Sequence, residues 1–264
     1  MLLLAIDIGN TNMEFGVFED DRMLTNFRLG TNRDITSDEV GLFTSQFFTI
    51  QQIDMKSVQD IIITSVVPQV MYSITNAMRK YFDKEPLIVG DNIKLDIVNK
   101  YDNPKEVGAD RLVNAIIAYK KYGGPVIVVD FGTATTFDAV DETGAYLGGS
   151  IYPGIKISAD ALFQKTSKLP RIELLKPEHV IGLNTIESMQ SGILYGYAGA
   201  VKNIVDMISR EFAHPESVKV IATGGLSKMI GTVTGIFDAI DKRLTLEGLK
   251  LIYDDCIHKL DPHR

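Results

Sequence analysis

The stretch Leu4-Ala5-Ile6-Asp7-Ile8-Gly9-Asn10-Thr11 decides the fold, because it occurs twice. Its second copy is Ile127-Val128-Val129-Asp130-Phe131-Gly132-Thr133-Ala134, and 127 − 4 places it 123 residues later. At the same offset Val17 falls on Val140 and Glu19 on Glu142. Each copy reads as a buried strand, an Asp-x-Gly turn with small polar residues, a second strand and an acidic turn (Glu19-Asp20-Asp21 and Asp141-Glu142-Thr143-Gly144). Each half of the chain is therefore expected to open with a β-hairpin whose tight turn carries an aspartate. A duplicated fold would set the two turns facing each other across a cleft.

The rest of the chain follows the same logic. Leu2–Ile8, Ile61–Val67, Val126–Phe131 and, more weakly, Val218–Ala222 are short apolar runs ended by Gly, Pro or Asp. That pattern predicts strands of a sheet covered on both faces. Helical periodicity covers Ser37–Phe48, Gln69–Phe82, Gly108–Tyr122, Ser158–Lys165 and Thr185–Phe212. Strands alternating with helices predict an α/β class. The 264 residues, at about 150 per domain, allow about 1.8 domains. The expected division is an N-terminal lobe over 1–105 and a C-terminal lobe over 106–264.

Composition excludes several functions. Lys+Arg is 27 against Asp+Glu 34, a net charge of −7. Nucleic-acid binding and adhesion to anionic membranes draw on surplus cations, so neither is expected. The first seven residues, Met1-Leu2-Leu3-Leu4-Ala5-Ile6-Asp7, lack a basic start and meet a carboxylate early, so no leader is expected. No apolar run reaches the 18 residues of a spanning helix. The single cysteine, Cys256, cannot form an internal disulfide, which suits a reducing cytoplasm. The sequence has no Gly-x-x-x-x-Gly-Lys-[Ser/Thr], no Gly-x-Gly-x-x-Gly after a strand and no Gly-x-Ser-x-Gly.

The turn Asp7-Ile8-Gly9-Asn10-Thr11 suits phosphate. Glycine permits a close backbone approach. Successive N–H groups form an anion nest. Asn10 and Thr11 offer donors. Asp7, ending a strand, is placed to hold a hydrated Mg²⁺. An ordinary hairpin with a capping Asp is the alternative, which the second copy at Asp130 weakens. Two such loops suit a nucleotide. In Gly108-Ala109-Asp110-Arg111, at a helix start, Asp110 either complements the dipole or accepts the proton of an attacking hydroxyl. Arg111 either pairs with an anion or is a surface charge. Thr223-Gly224-Gly225 taken alone reads first as a plain turn and second as backbone lying flat against a planar ligand, and Pro153-Gly154 is ambiguous by itself. Asn184-Thr185 reads as a helix start.

Together these segments resemble the type III pantothenate kinase family: Asp7-x-Gly9-Asn10-Thr11, Gly108-Ala109-Asp110-Arg111, Asp130-Phe131-Gly132-Thr133-Ala134-Thr135, Pro153-Gly154-Ile155, Gly182-x-Asn184-Thr185 and Thr223-Gly224-Gly225, in that order. The resemblance implies the duplicated two-lobe α/β fold of sugar kinases, chaperone ATPases and actin, with ribonuclease H-like lobes and the nucleotide in the interlobe cleft. It implies phosphorylation of pantothenate by ATP to 4′-phosphopantothenate, the first step of coenzyme A biosynthesis. Asp110 matches the proton acceptor. Asp7, Ile8, Gly9, Asn10, Thr11, Asn12, Met13 and Glu14 match the first ATP phosphate loop, and Thr133 the second. Asp130 matches the ligand of a monovalent cation, K⁺ or NH₄⁺. Tyr101, Gly108, Ala109, Asp110, Arg111 and Thr185 match the pantothenate site. A cytoplasmic homodimer is implied. Another small-molecule kinase of this superfamily, of the sugar type, and a non-enzymatic transcription accessory factor are the alternatives; an actin-like filament protein is disfavoured by length.

Overall fold

The computed structural model describes residues 1–260. The chain divides into two compact units. The first takes in Met1–Ile97, Lys105–Ile117 and the chain from Leu244 onward; the second takes in Val98–Pro104 and Ala118–Arg243.

In the first unit β1 (Leu2–Ile8), β2 (Asn12–Glu19) and β3 (Arg22–Gly30) form an antiparallel meander. β4 (Val58–Ser65) and β5 (Leu87–Ile88) extend it in parallel on the other side of β1, giving the order β3-β2-β1-β4-β5. β1 is apolar throughout because both of its faces are covered. Leu4, Ile6 and Ile8 join a core with α1 (Ser37–Ile50) and α2 (Pro68–Ala77). Leu3 and Ala5 pack on the other side against α3 (Ala109–Tyr122) and α7 (Leu244–Leu260). α1 begins at a capping box, with Thr36 and Glu39 exchanging side-chain and backbone bonds. The expected helix over Gln69–Phe82 is α2 followed by a π-helical turn, Met78–Phe82, that ends at left-handed Asp83.

In the second unit β6 (Val126–Phe131), β7 (Ala134–Val140) and β8 (Tyr146–Pro153) repeat the meander. β9 (Lys219–Thr223) and β10 (Ala239–Ile240) repeat the parallel pair. The order, β8-β7-β6-β9-β10, matches the first sheet strand for strand. α4 (Ile155–Lys165), α5 (Thr185–Ser209) and α6 (Ser227–Thr234) bring Ile155, Leu194, Tyr197, Val201 and Ile230 onto Ile127, Val129 and Phe131.

The repeat is real, and its register changes at the turn. Ile8 faces Met13, enclosing Gly9, Asn10, Thr11 and Asn12. Phe131 faces Thr135, enclosing only Gly132, Thr133 and Ala134. The second hairpin is one residue tighter, so the offset falls from 123 to 122 beyond it. Val17 pairs with Leu4, and Leu4's counterpart Ile127 pairs with Ala139. The structural partner of Val17 is therefore Ala139, not Val140. A one-residue slip exchanges the two faces of a strand, which is why a constant offset could not hold across the turn.

Candidate active site

The first loop is braced from β3. The Gly9 N–H donates to the Asn12 carbonyl at 3.0 Å. The Thr31 hydroxyl donates to the Gly9 carbonyl at 2.6 Å, and the Thr31 N–H to the Thr11 carbonyl at 2.9 Å. Thr31 carries no motif signal, and only the meander brings it here. Of the eight residues from Asp7 to Glu14, Ile8 and Met13 are buried in the core, whereas Asn10, Thr11 and Asn12 are exposed. Asp7 lies directly opposite Glu14 on β2, and Glu14 opposite Arg28 on β3. Facing carboxylates repel, and the Arg28 guanidinium, ion-paired with Glu14, offsets that repulsion.

Asp110 enters on the first turn of α3. The Gly108 carbonyl accepts from Arg111 N–H at 3.1 Å and Leu112 N–H at 3.3 Å, starting the helix. The Asp110 carboxylate turns back and accepts from the Arg111 N–H at 2.8 Å. It lies so close to Gly108 that a Cβ there would stand 2.5 Å from Asp110 Oδ1 and 3.4 Å from Val66 Cγ1. Val66 in turn donates its N–H to the Ile8 carbonyl at 3.1 Å, at the mouth of the first loop. A side chain at this position would therefore push the carboxylate out of its present place. Burial pushes the Asp110 carboxyl above the usual range, and the Arg111 N–H and charge hold it back in part. A carboxylate so placed is a stronger base than one in water. Arg111 is only 9% exposed and so is not a surface charge.

The second loop is gripped by two glycines that looked like ordinary turns. Gly154, at the start of α4, sits so near the loop that a Cβ would fall 2.1 Å from the Thr133 carbonyl oxygen. Gly224, at the end of β9, has φ +86°. A Cβ on it would fall 2.7 Å from both Asp130 Oδ1 and the Phe131 carbonyl oxygen. Thr133 is exposed at the tip and Asp130 half-buried at the strand end. Behind the loop Thr135 hydrogen-bonds the Tyr197 hydroxyl, and burial pushes that phenol up.

Thr185 lies at the start of α5, where Asn184 caps the helix by accepting from Glu187 N–H at 3.0 Å. It lines an open cavity of about 630 Å³ with Leu162, Leu183, Ser188 and Met189. Tyr101 belongs to the second unit, where it packs beside Tyr146 and Gly148. Asp7, Gly108, Ala109, Asp110 and Arg111 all belong to the first unit, and Asp130, Thr133 and Thr185 to the second.

The family model for type III pantothenate kinase matches residues 3–207. The chain belongs to the type III pantothenate kinase family. It is accordingly a kinase, and its fold is that of the sugar kinase and actin-like ATPase superfamily. The kinase resembles a Campylobacter jejuni protein named for the Baf family of transcriptional activators, with 20% identity, TM-score 0.59, 97% of this chain and 99% of that one covered. It also resembles the activator of 2-hydroxyisocaproyl-CoA dehydratase from Clostridium difficile, solved with ADPNP (10% identity, TM-score 0.54, 100% and 98% covered). A third likeness is to the ROK hexokinase of Thermus thermophilus (12% identity, TM-score 0.50, 97% and 100% covered). At such identities these likenesses speak for the fold alone. Among the described residues no helix of the kinase is long and apolar enough to cross a membrane.

Proposed function

We propose that the kinase transfers the γ-phosphoryl group of ATP to the terminal hydroxyl of pantothenate, giving 4′-phosphopantothenate and ADP, the first step of coenzyme A biosynthesis. The observation that carries this reading is Asp110: a half-buried carboxylate on the first turn of α3, raised by desolvation and close against Gly108. The hydroxyl oxygen attacks the γ-phosphorus, its proton passes to Asp110, and the bond to the ADP oxygen breaks. The transition state is loose, so the carboxylate acts chiefly by orienting the hydroxyl. Gly108, Ala109 and Arg111 of the first unit, and Tyr101 and Thr185 of the second, are each assigned to pantothenate by their match to the family's motifs. Asp7 to Glu14 in the first unit and Thr133 in the second are each assigned to ATP phosphates by their match to the family's loops; in the first loop Asn10, Thr11 and Asn12 are the exposed residues.

The donors present support two cations. Mg²⁺ favours a carboxylate plus phosphate oxygens and water. Asp7 suits it, since its strand-end carboxylate lies beside an exposed polar loop. A monovalent cation takes oxygen donors, and the Asp130 carboxylate and the Phe131 carbonyl converge on Gly224. Bound, these ions supply charge neutralisation of the phosphates. The protein works in the cytoplasm as a homodimer. The exposed Val180, Ile181 and Leu183 before α5 are apolar surface suited to a second copy.

A coupled ADP assay tests the reading, with ATP, Mg²⁺, K⁺ and pantothenate each omitted in turn and hexoses as a control. ADP release is expected only with the complete mixture. Release with hexose in place of pantothenate would assign the protein to sugar-type kinases instead.

A further inference from the structure

The Thr64 hydroxyl has no task in the reading above. β4 runs parallel to β1 with Ile62 beside Ala5 and Thr64 beside Asp7. Successive side chains on a strand point to opposite faces. Ile61 and Ile63 join the core of Leu4, Ile6 and Ile8. Ile62 joins Leu3 and Ala5 on the other face, under Val113, Ile116 and Ala109 of α3. Thr64 and Asp7 therefore stand side by side on that second face, at the strand ends, where the helix bearing Asp110 begins.

Thr64 is fully buried, at 0% exposure. Among the described residues its Oγ1 finds no hydrogen-bond partner. Buried hydroxyls are almost always bonded, because leaving one unmade costs stability. Valine would fill the same space without that cost. The second half of the chain makes the same choice: Thr223, also buried, stands on β9 beside Asp130.

We propose that Thr64 is a positioning residue for phosphoryl transfer. Its hydroxyl donates to the Asp7 carboxylate in the nucleotide-bound state and holds that carboxylate toward the metal and phosphates. The proposal rests on the reading of Asp7 as the nucleotide-metal carboxylate. That bond would give the buried hydroxyl the partner it lacks among the described residues.

The test compares wild type, Thr64→Val and Thr64→Ser by thermal unfolding with and without Mg-ATP, and by KM for each substrate. In Thr64→Val the Tm of the free protein is expected to stay level or rise by about 2–4 °C. Its Mg-ATP-induced rise in Tm is expected to shrink, and its KM for ATP to increase about tenfold. KM for pantothenate should hold, and Thr64→Ser should restore nucleotide binding. Wild-type Mg-ATP binding in Thr64→Val would overturn the assignment. So would joint loss of stability and binding in both variants, which would mark a packing role. A wild-type protein whose Tm ignores Mg-ATP would overturn the nucleotide reading of Asp7, and the role of Thr64 with it.

Discussion

At the scale of single residues, two aspartates lie on opposite sides of the ordinary carboxyl value, and each has a pH consequence. Burial raises Asp110. Its charged form is disfavoured by folding, so it lowers stability as pH rises above the unfolded value of about 3.9. Asp110→Asn is expected to raise Tm at neutral pH while reducing kcat by roughly 10²–10⁴-fold. In wild type the acid limb of kcat/KM should fall above the usual carboxylate range. Unchanged turnover in Asp110→Asn would remove it from the mechanism. Asp141 goes the other way. Burial alone would raise it, but Lys100 at 2.7 Å and the Thr143 hydroxyl, Thr143 N–H and Ala145 N–H drive it far down. Its stabilisation is present above the unfolded value and is lost as pH falls toward the folded one. Asp141→Asn is expected to cost about 2–3 kcal/mol at pH 7 and to leave less acid sensitivity, read by urea unfolding at pH 7 and pH 4. The sequence showed both carboxylates, but their shifts depend on what surrounds them. Gly108 and Arg111 adjoin Asp110 in the chain, whereas Lys100 lies 41 residues from Asp141.

At the scale of elements, two glycines govern the second Asp-x-Gly loop. Gly154 has φ −61°, a conformation open to any residue, so its requirement is steric and comes from Thr133. Gly154→Ala should therefore displace the loop without straining its own backbone, and fluorescence titration with a labelled ATP analogue should show weakened binding. An unaltered affinity would free Gly154 from that role. In sequence Pro153-Gly154 was as readable as a turn as it was as a ligand surface, because the Thr133 carbonyl it accommodates belongs to another segment. The same limit applied to strands. β1, β4, β6 and β9 were legible as apolar runs. β3 alternates exposed and half-buried residues at a sheet edge, and β5 and β10 are two residues each, too short for a pattern. α7 has charged and apolar residues mixed along its length, and its burial on β1 and β4 appears only once the chain returns to the first unit.

At the scale of the whole molecule, the proposed reaction brings ATP and a carboxylate substrate to a protein of net charge −7, which needs local counter-charge. Activity is expected to require K⁺ or NH₄⁺ through Asp130. Turnover measured in Na⁺ alone, then with K⁺ added, checks this; full activity in Na⁺ without ammonium would refute it. The duplication itself was visible in one line of sequence. Short apolar strands ending in Asp-x-Gly are local patterns, so the fold class and the two loops could be read from order and spacing, while the family came from the resemblance of the ordered motifs. The tertiary structure alone decided the tighter second hairpin, the chain's return to the first unit through α7, the bracing of the first loop by Thr31 and the grip of Gly154 and Gly224 on the second. It also showed that the buried Thr64 hydroxyl has no hydrogen-bond partner among the described residues. Each of these depends on contacts between segments far apart in the chain, and burial, close approach and an unmade hydrogen bond exist only after the chain has folded.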